Sequence, residues 1–404
     1  MSIHRVSEIA ADQRVHRAFQ WLHLNEMRIM QWQRAVTEIP APPFGEQLRA
    51  QWMRDRFIEL DLCNVFIDAE GNVLGTYPAN ADVEPAADCI VVDAHMDTIF
   101  PLDTPLDFSF DGDRSLAPGI SDNGCGVAAM LGIIAAMRDG HVKVSRQLLF
   151  AATVGEEGEG NLRGIRALFR DLNERRPRAA IVLDGAGTAH AVTKALGSRR
   201  YRITVRGPGG HSWTNASTPS AIVTLARGLA AIADIAMPAS PRTTLNIGTI
   251  QGGSSINAIA EEATAAVDTR STGSEQLTRL EVLVHRAMED AVTLTNNHAR
   301  EAGAEGRVSH SIEVIGDRPA GMLNTDAELF KDLLAVDRHL SIATDKKVAS
   351  TNANIPLSLG IEAVGLGAGG TAGGVHTRNE WFNPQGRELA LRRILLLTLV
   401  TANR

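Results

Sequence analysis

Three apolar runs in this chain end on acids or an imidazole, and that repetition limits the folds open to it. Cys89, Ile90, Val91 and Val92 lead into Asp93-Ala94-His95-Met96-Asp97-Thr98. Residues 148–154 lead into Gly155-Glu156-Glu157-Gly158-Glu159-Gly160, and residues 180–183 lead into Asp184. Short unbroken apolar runs bounded by glycine or polar residues read as strands buried on both faces. Such strands belong to parallel sheets covered by helices. The expected fold class is therefore α/β, a mostly parallel sheet flanked by helices. In open sheets of this kind ligands bind outside the carboxyl ends of the strands, which is where these polar residues fall.

The residue types at those ends suggest a metal. Side chains two apart on an extended backbone share a face, so His95 and Asp97 point the same way. A carboxylate that holds one ring nitrogen leaves the other free for a cation, which makes His95 a candidate ligand and Asp97 its orienter. Taken alone, a His-x-Asp pair is also a common surface feature. Glu156, Glu157 and Glu159 crowd like charge at one strand end, where they would repel and protonate unless cations stood nearby; a solvated loop is the plainer reading. Asp122 lies in Pro118-Gly119-Ile120-Ser121-Asp122-Asn123-Gly124-Cys125-Gly126, just before an Ala-rich apolar helix expected over 127–137. It is either a placed ligand or a helix cap. A short strand at 363–366 runs into a glycine loop over 367–377 that contains Gly374 and closes on His376. Its amides can meet an anion and its imidazole a metal, or it is a lid with an incidental histidine.

A chain of 404 residues exceeds one simple core, so two domains are expected. From about 195 the pattern changes. Strands are expected at 199–206, 243–250, 263–270 and 307–315, with helices at 219–235 and 275–302. The order β-α-β-β-α-β is that of a ferredoxin-like sandwich. The expected domains are a catalytic part at 1–194, an inserted lid or dimerisation domain at 195–316, and the second catalytic part at 317–404. The outer surface of such an insert suits a homodimer or higher homo-oligomer. Three features stand out in it: His211 after Gly207-Pro208-Gly209-Gly210, Asn257 after a second Gly-rich turn, and Arg270 in Asp268-Thr269-Arg270. An oxyanion donor, a substrate contact and a carboxylate clamp are the functional readings. Turn chemistry and a surface ion pair are the plainer ones.

Elsewhere the sequence predicts one amphipathic helix over 5–37, with Phe19, Leu22, Ile29, Trp32 and Val36 on its apolar face. A helix over 46–60 and a hairpin of 64–68 with 73–76 follow, then loops at 78–88 and 101–116. Helices at 323–340 and 387–401 close the chain. A net charge of −7 argues against a nucleic-acid or anionic-membrane partner. Cys63, Cys89 and Cys125 are sparse and odd in number, without metal-type spacing, which fits a reducing, cytoplasmic setting. Residues 1–14 lack the apolar segment of a signal peptide, and no apolar run is long enough to span a membrane.

Together these residues resemble the two-metal exopeptidase and amidohydrolase family that includes aminoacylase, glutamate carboxypeptidase and peptidase T. The ordered set runs from His95-x-Asp97 through Asp122, Glu156-Glu157 and Asp184 to His376, with the His211, Asn257 and Arg270 motifs in the insert, and covers roughly 20–400. The resemblance implies that His95 and Asp184 bind one metal, Glu157 and His376 a second, and that Asp122 bridges them. It implies that Glu156 is the general base and acid and that Asp97 supports His95. It further implies that His211 stabilises the tetrahedral intermediate in a partner subunit, that Asn257, Arg270 and Gly374 contact the substrate, and that the Asp122–Asn123 peptide is cis. The two divalent ions would be zinc, with manganese or cobalt also fitting the donors. The reaction implied is hydrolysis of a C–N amide bond in a small peptide or N-acyl amino acid with a free carboxylate. Two departures, Asn352 where many relatives carry an acid and Arg378 beside His376, keep open a non-peptide carbamoyl, aromatic amide or arylamine substrate. A metal-binding protein without turnover is the alternative from another class.

Overall fold

The structure, a computed structural model, describes residues 2–79, 88–172 and 177–404. The chain divides into two compact units, Met1–Ala195 with Met322–Arg404, and Leu196–Gly321.

The first unit is built on a sheet of nine strands among the described residues. Its order is Cys63–Ile67, Val73–Tyr77, Gln147–Thr153, Cys89–His95, Ala179–Leu183, Glu362–Leu366 and His190–Ala195. Gly321–Met322 lies at the edge, and Asp345–Ala349 also pairs with His190–Ala195. The four central strands, from Gln147–Thr153 to Glu362–Leu366, are mutually parallel. All seven residues of Cys89–His95 are buried. Because alternate side chains face opposite ways, both faces of that strand are covered. The helices Gly124–Asp139 and Arg387–Ala402 pack on it, each buried around most of its circumference, as fits helices enclosed within a core.

The helical stretch expected over 5–37 is three helices, Ser2–Ala11, Gln13–Leu24 and Glu26–Thr37. The breaks fall where short polar side chains bond to nearby backbone. Asp12 accepts from the Arg14 N–H at 2.8 Å, and the Asn25 side chain donates to Trp21 O at 2.9 Å. The expected loop at 101–116 contains two strands, Ser109–Asp111 and Arg114–Leu116, joined in a small sheet with Trp381–Asn383 and Thr371–Gly373. Ser109–Asp111 is exposed throughout, so it lacks the alternation that marks a half-buried strand. The helix expected over 323–340 starts only at Glu328. Of the expected loop at 78–88, residues 80–87 lie outside the described residues.

The second unit is a four-stranded antiparallel sheet in the order Thr243–Gly252, Glu262–Ser271, Gly197–Arg206, Ser309–Arg318. The helices Ala221–Ala233 and Ser274–Glu301 pack on it. Tyr201, Ile203, Val205, Leu225, Val267, Val284 and Met288 form its core. This is the ferredoxin-like arrangement. Its last strand continues to Arg318, two residues past the expected end of the insert.

Candidate metal centre

Each central parallel strand delivers a polar group at its carboxyl end. His95 is the last residue of its strand, and Asp97 follows two residues on. Thr153 ends the next strand and leads to Glu156 and Glu157. Leu183 leads to Asp184, and Leu366 to the glycine loop that carries His376. The loop before Gly124–Asp139 brings Asp122 into the same place, with Asn123 as the helix N-cap. The Asp122–Asn123 peptide is cis, as the resemblance implies. The Asn123 side chain accepts from Gly126 N–H at 3.2 Å and Gly185 N–H at 3.1 Å, and donates to Leu183 O at 2.8 Å. The cap role weighed for Asp122 thus belongs to its neighbour.

Five side chains converge. His95 Nε2 is 3.1 Å from Asp122 Oδ1 and 3.7 Å from Asp184 Oδ1. His376 Nε2 is 3.0 Å from Asp122 Oδ2 and 2.9 Å from Glu157 Oε1. Asp122 therefore presents one oxygen to each imidazole. His95, Asp122 and Asp184 form one group of candidate ligand atoms, and Asp122, Glu157 and His376 another; the atoms of each lie within 4.8 Å of one another. A third group joins His95 to Glu156 and Glu157.

Asp97 is fully buried. His95 Nδ1 lies 3.2 Å from the Asp97 backbone oxygen and 3.5 Å from its carboxylate, which accepts from the N–H groups of Glu156 at 2.9 Å and Glu157 at 2.8 Å. One acid thus sets both the ring and the turn that carries the two glutamates.

The charges are coupled. Burial disfavours the His95 imidazolium, but Asp122, Asp184 and Asp97 outweigh it and hold its pKa well above the ordinary value. Bonds to Asp122 and Glu157 push His376 up to about 10. Burial alone would raise Asp122, yet the two imidazoles hold it well below the usual carboxylate range. Glu157 is raised, chiefly by burial. The cluster thus stabilises positive charge at both imidazoles, and its mixed nitrogen and oxygen donors suit zinc, manganese or cobalt.

The second unit carries the other expected residues. His211 pairs with Ala258 in a two-residue ladder, and Ser212 N–H donates to Asn257 O at 3.0 Å, so the two Gly-rich turns lie side by side. His211 Nδ1 accepts from Trp213 N–H at 3.2 Å and Thr214 N–H at 3.4 Å. The neutral ring must then carry its proton on Nε2. Asn257 is exposed and accepts from Ser255 Oγ at 2.7 Å. Arg270 donates to Asp268 at 2.7 Å, and Asp268 also holds Arg200 at 3.1 Å. In the first unit, Gly374 has φ +65°, and a Cβ there would lie 2.7 Å from Asn379 O, so only glycine fits.

Several contributors escaped the sequence reading. Glu380, fully buried, accepts from Gly119, Ser121 and Asp122. Arg393 grips Asp337 at 2.6 and 2.7 Å and donates to Thr188 O and His190 O, anchoring the loop after Asp184. Its position within the apolar stretch 389–400 was the available signal. Glu380, between an asparagine and a tryptophan, offered none. Asn352 is 1% exposed and donates to Asp93 and Thr153, both at 2.8 Å. It is a buried amide that pairs with groups on two neighbouring central strands. Arg378 is exposed.

Residues 193–293 match the model of a peptidase dimerisation domain, and residues 72–231 that of peptidase family M28. A probable carboxypeptidase of Arthroderma benhamiae is 30% identical over 63% of this chain and 58% of its own length. A peptidase M20 domain-containing protein of Schizosaccharomyces pombe is 31% identical over 44% of each chain. The chain spans about half the length of the fungal relatives it matches. Among solved structures, the aminopeptidase PepT of Bacillus cereus superposes with a TM-score of 0.74 at 21% identity, covering 94% of this chain and 99% of that one. The dipeptidase Dug1p of Saccharomyces cerevisiae superposes with a TM-score of 0.70 at 11% identity, covering 97% and 99%.

Proposed function

We propose that this chain, a member of the two-metal exopeptidase and amidohydrolase family, hydrolyses the C–N amide bond of a small peptide or N-acyl amino acid. The observation that carries the reading is Asp122, one carboxylate shared between two ligand groups. In this reading His95 and Asp184 would hold one divalent ion and Glu157 and His376 the other, with Asp122 available to both. Such ions lower the pKa of water from 15.7 to about 7 and polarise a carbonyl oxygen. Glu156 takes the proton of the attacking water and returns it to the leaving nitrogen. Asp97 keeps the His95 ring turned so that Nε2 faces the carboxylates. His211 donates its Nε2–H to the developing oxyanion, in a partner subunit by family resemblance; one such donor is typically worth about 2.7–4 kcal/mol.

Asn257, Arg270 and Gly374 would hold the substrate, with Arg270 shared between Asp268 and a substrate carboxylate. Zinc is the ion we favour, over manganese or cobalt. The dimerisation-domain match over 193–293 supports a homodimer built through the insert. Among the described residues no helix is long and apolar enough to cross a membrane. Three thiols without a disulfide support a reducing, cytoplasmic compartment.

The test joins metal analysis of purified protein with assays on dipeptides and N-acyl amino acids. Two equivalents of metal and chelator-sensitive cleavage are expected. A protein that binds no divalent ion, or that cleaves the panel undiminished after chelation, refutes the proposal.

A further inference from the structure

His376 sits on an exposed stretch. Residues 374–379 are all exposed, and His376 itself has φ +64° and a side chain 48% exposed. A ligand on such a segment needs an anchor, and the next residue supplies one. Glu380 is 0% exposed. Its Oε1 accepts from Ser121 N–H at 2.7 Å, Ser121 Oγ at 2.7 Å and Asp122 N–H at 2.9 Å. Its Oε2 accepts from Gly119 N–H at 3.0 Å, and its carbonyl accepts from Ala117 N–H at 3.1 Å. Five hydrogen bonds from one short loop thus converge on a single residue more than 250 positions away in the chain. Bonds from N–H and O–H groups to an ionised carboxylate are stronger than neutral ones.

The two ends of this connection are the bridging acid and the last imidazole. Asp122 meets His95 through Oδ1 and His376 through Oδ2, so its backbone position relative to the 374–379 segment sets the spacing of the two ligand groups. We propose that Glu380 is a positioning residue that couples them: it carries order at the Asp122 loop to the exposed His376 segment, so that the two cations bind together. A glutamine cannot replace it. Its amide nitrogen would face at least one N–H of the loop, donor against donor.

The inference rests on the two-metal reading above, and the test separates them. Metal-free full-length wild type and Glu380→Gln are titrated with Co²⁺, followed by visible absorption, with metal content measured after desalting. Wild type is expected to take up two equivalents in one step. Glu380→Gln should keep the first equivalent at unchanged affinity and lose about 10–100-fold on the second, the usual cost of removing a group that orients a ligand. Ser121→Ala, which keeps every charge, should weaken the same equivalent about fivefold. A merely structural role would weaken both equivalents alike, and that result, or two unaltered equivalents, overturns the coupling. If Glu380→Gln does not fold, Ser121→Ala decides by the same criterion. A wild type that takes up no Co²⁺ refutes the two-metal reading itself.

Discussion

Glu156 and Glu157 are adjacent, yet they can do different work because Asp97 accepts from both of their backbone N–H groups. With the turn pinned there, Glu157 reaches His376 at 2.9 Å, and the proposed mechanism gives proton transfer to Glu156. Replacing Glu156 with glutamine keeps its size and removes its basicity. Turnover should fall about 10²–10⁴-fold, the usual worth of a general acid–base group, while metal content stays at the wild-type value. A variant that lost metal together with activity would make Glu156 a ligand. A second residue-scale expectation concerns Asp93, buried beside Thr153 and Asn352. Burial pushes its carboxyl from an ordinary 3.8 up to about 6. Between those values the folded chain holds a proton that the unfolded chain has released, so this group's contribution to stability falls as pH rises and levels off above about 6. The difference approaches about 3 kcal/mol. Asp93→Asn cannot titrate. Urea unfolding of both proteins from pH 4 to pH 8 should show the variant gaining relative to wild type by that order as pH rises; a constant offset would rule it out.

At the scale of elements, the Pro-rich segment 39–46 acts as a strap under the turn that carries His95 and Asp97. Thr98 N–H donates to Ala41 O at 2.8 Å. Arg49, on the helix that follows, is fully buried and donates to Met96 O at 2.7 Å and to Ile39 O at 3.0 Å. Arg163 ties Glu46 to Glu70 at 2.7 Å each. Arg49→Met would leave the buried Met96 carbonyl and the part-buried Ile39 carbonyl without this partner, each costing up to about 1–3 kcal/mol. A loss of about 3 kcal/mol in urea unfolding is expected, and a change under 1 kcal/mol would show that the strap does not depend on it. None of this was legible in the sequence, where 40–43 reads only as a helix breaker. The central strands were legible because burial on both faces forces unbroken apolar runs. The candidate metal ligands stood out because charge at the ends of such runs is costly without a counter-charge, and the family resemblance then assigned them as a set. His190–Ala195, which alternates weakly, and the polar Asp345–Ala349 offered no such signal. Neither did Glu380, whose role exists only through a loop far away in the chain.

For the molecule as a whole, the five candidate ligands span the chain from His95 to His376, so the complete set exists only when the first unit is folded. Cations that bind this set therefore bind the native state and not the unfolded chain. Each adds stability by RT ln(1 + [M]/Kd), about 2.7 kcal/mol per site when the free ion is 100-fold above Kd. Removing the ions also restores mutual repulsion among Asp122, Glu157 and Asp184, relieved only by protons on His95 and His376. That relief weakens as pH rises, because His376 loses its proton near 10. The metal-free protein should therefore melt several degrees below the metal-loaded one, and the gap should widen from pH 7 toward pH 10. Metal competition with protons for the imidazoles works in the same direction. Calorimetry with and without a chelator across that range is the measurement. Adding zinc to the stripped protein should raise the melting temperature with the logarithm of free zinc. A melting temperature indifferent to chelator and zinc at every pH would mean that these side chains, though gathered in one place, bind no ion that matters to the fold.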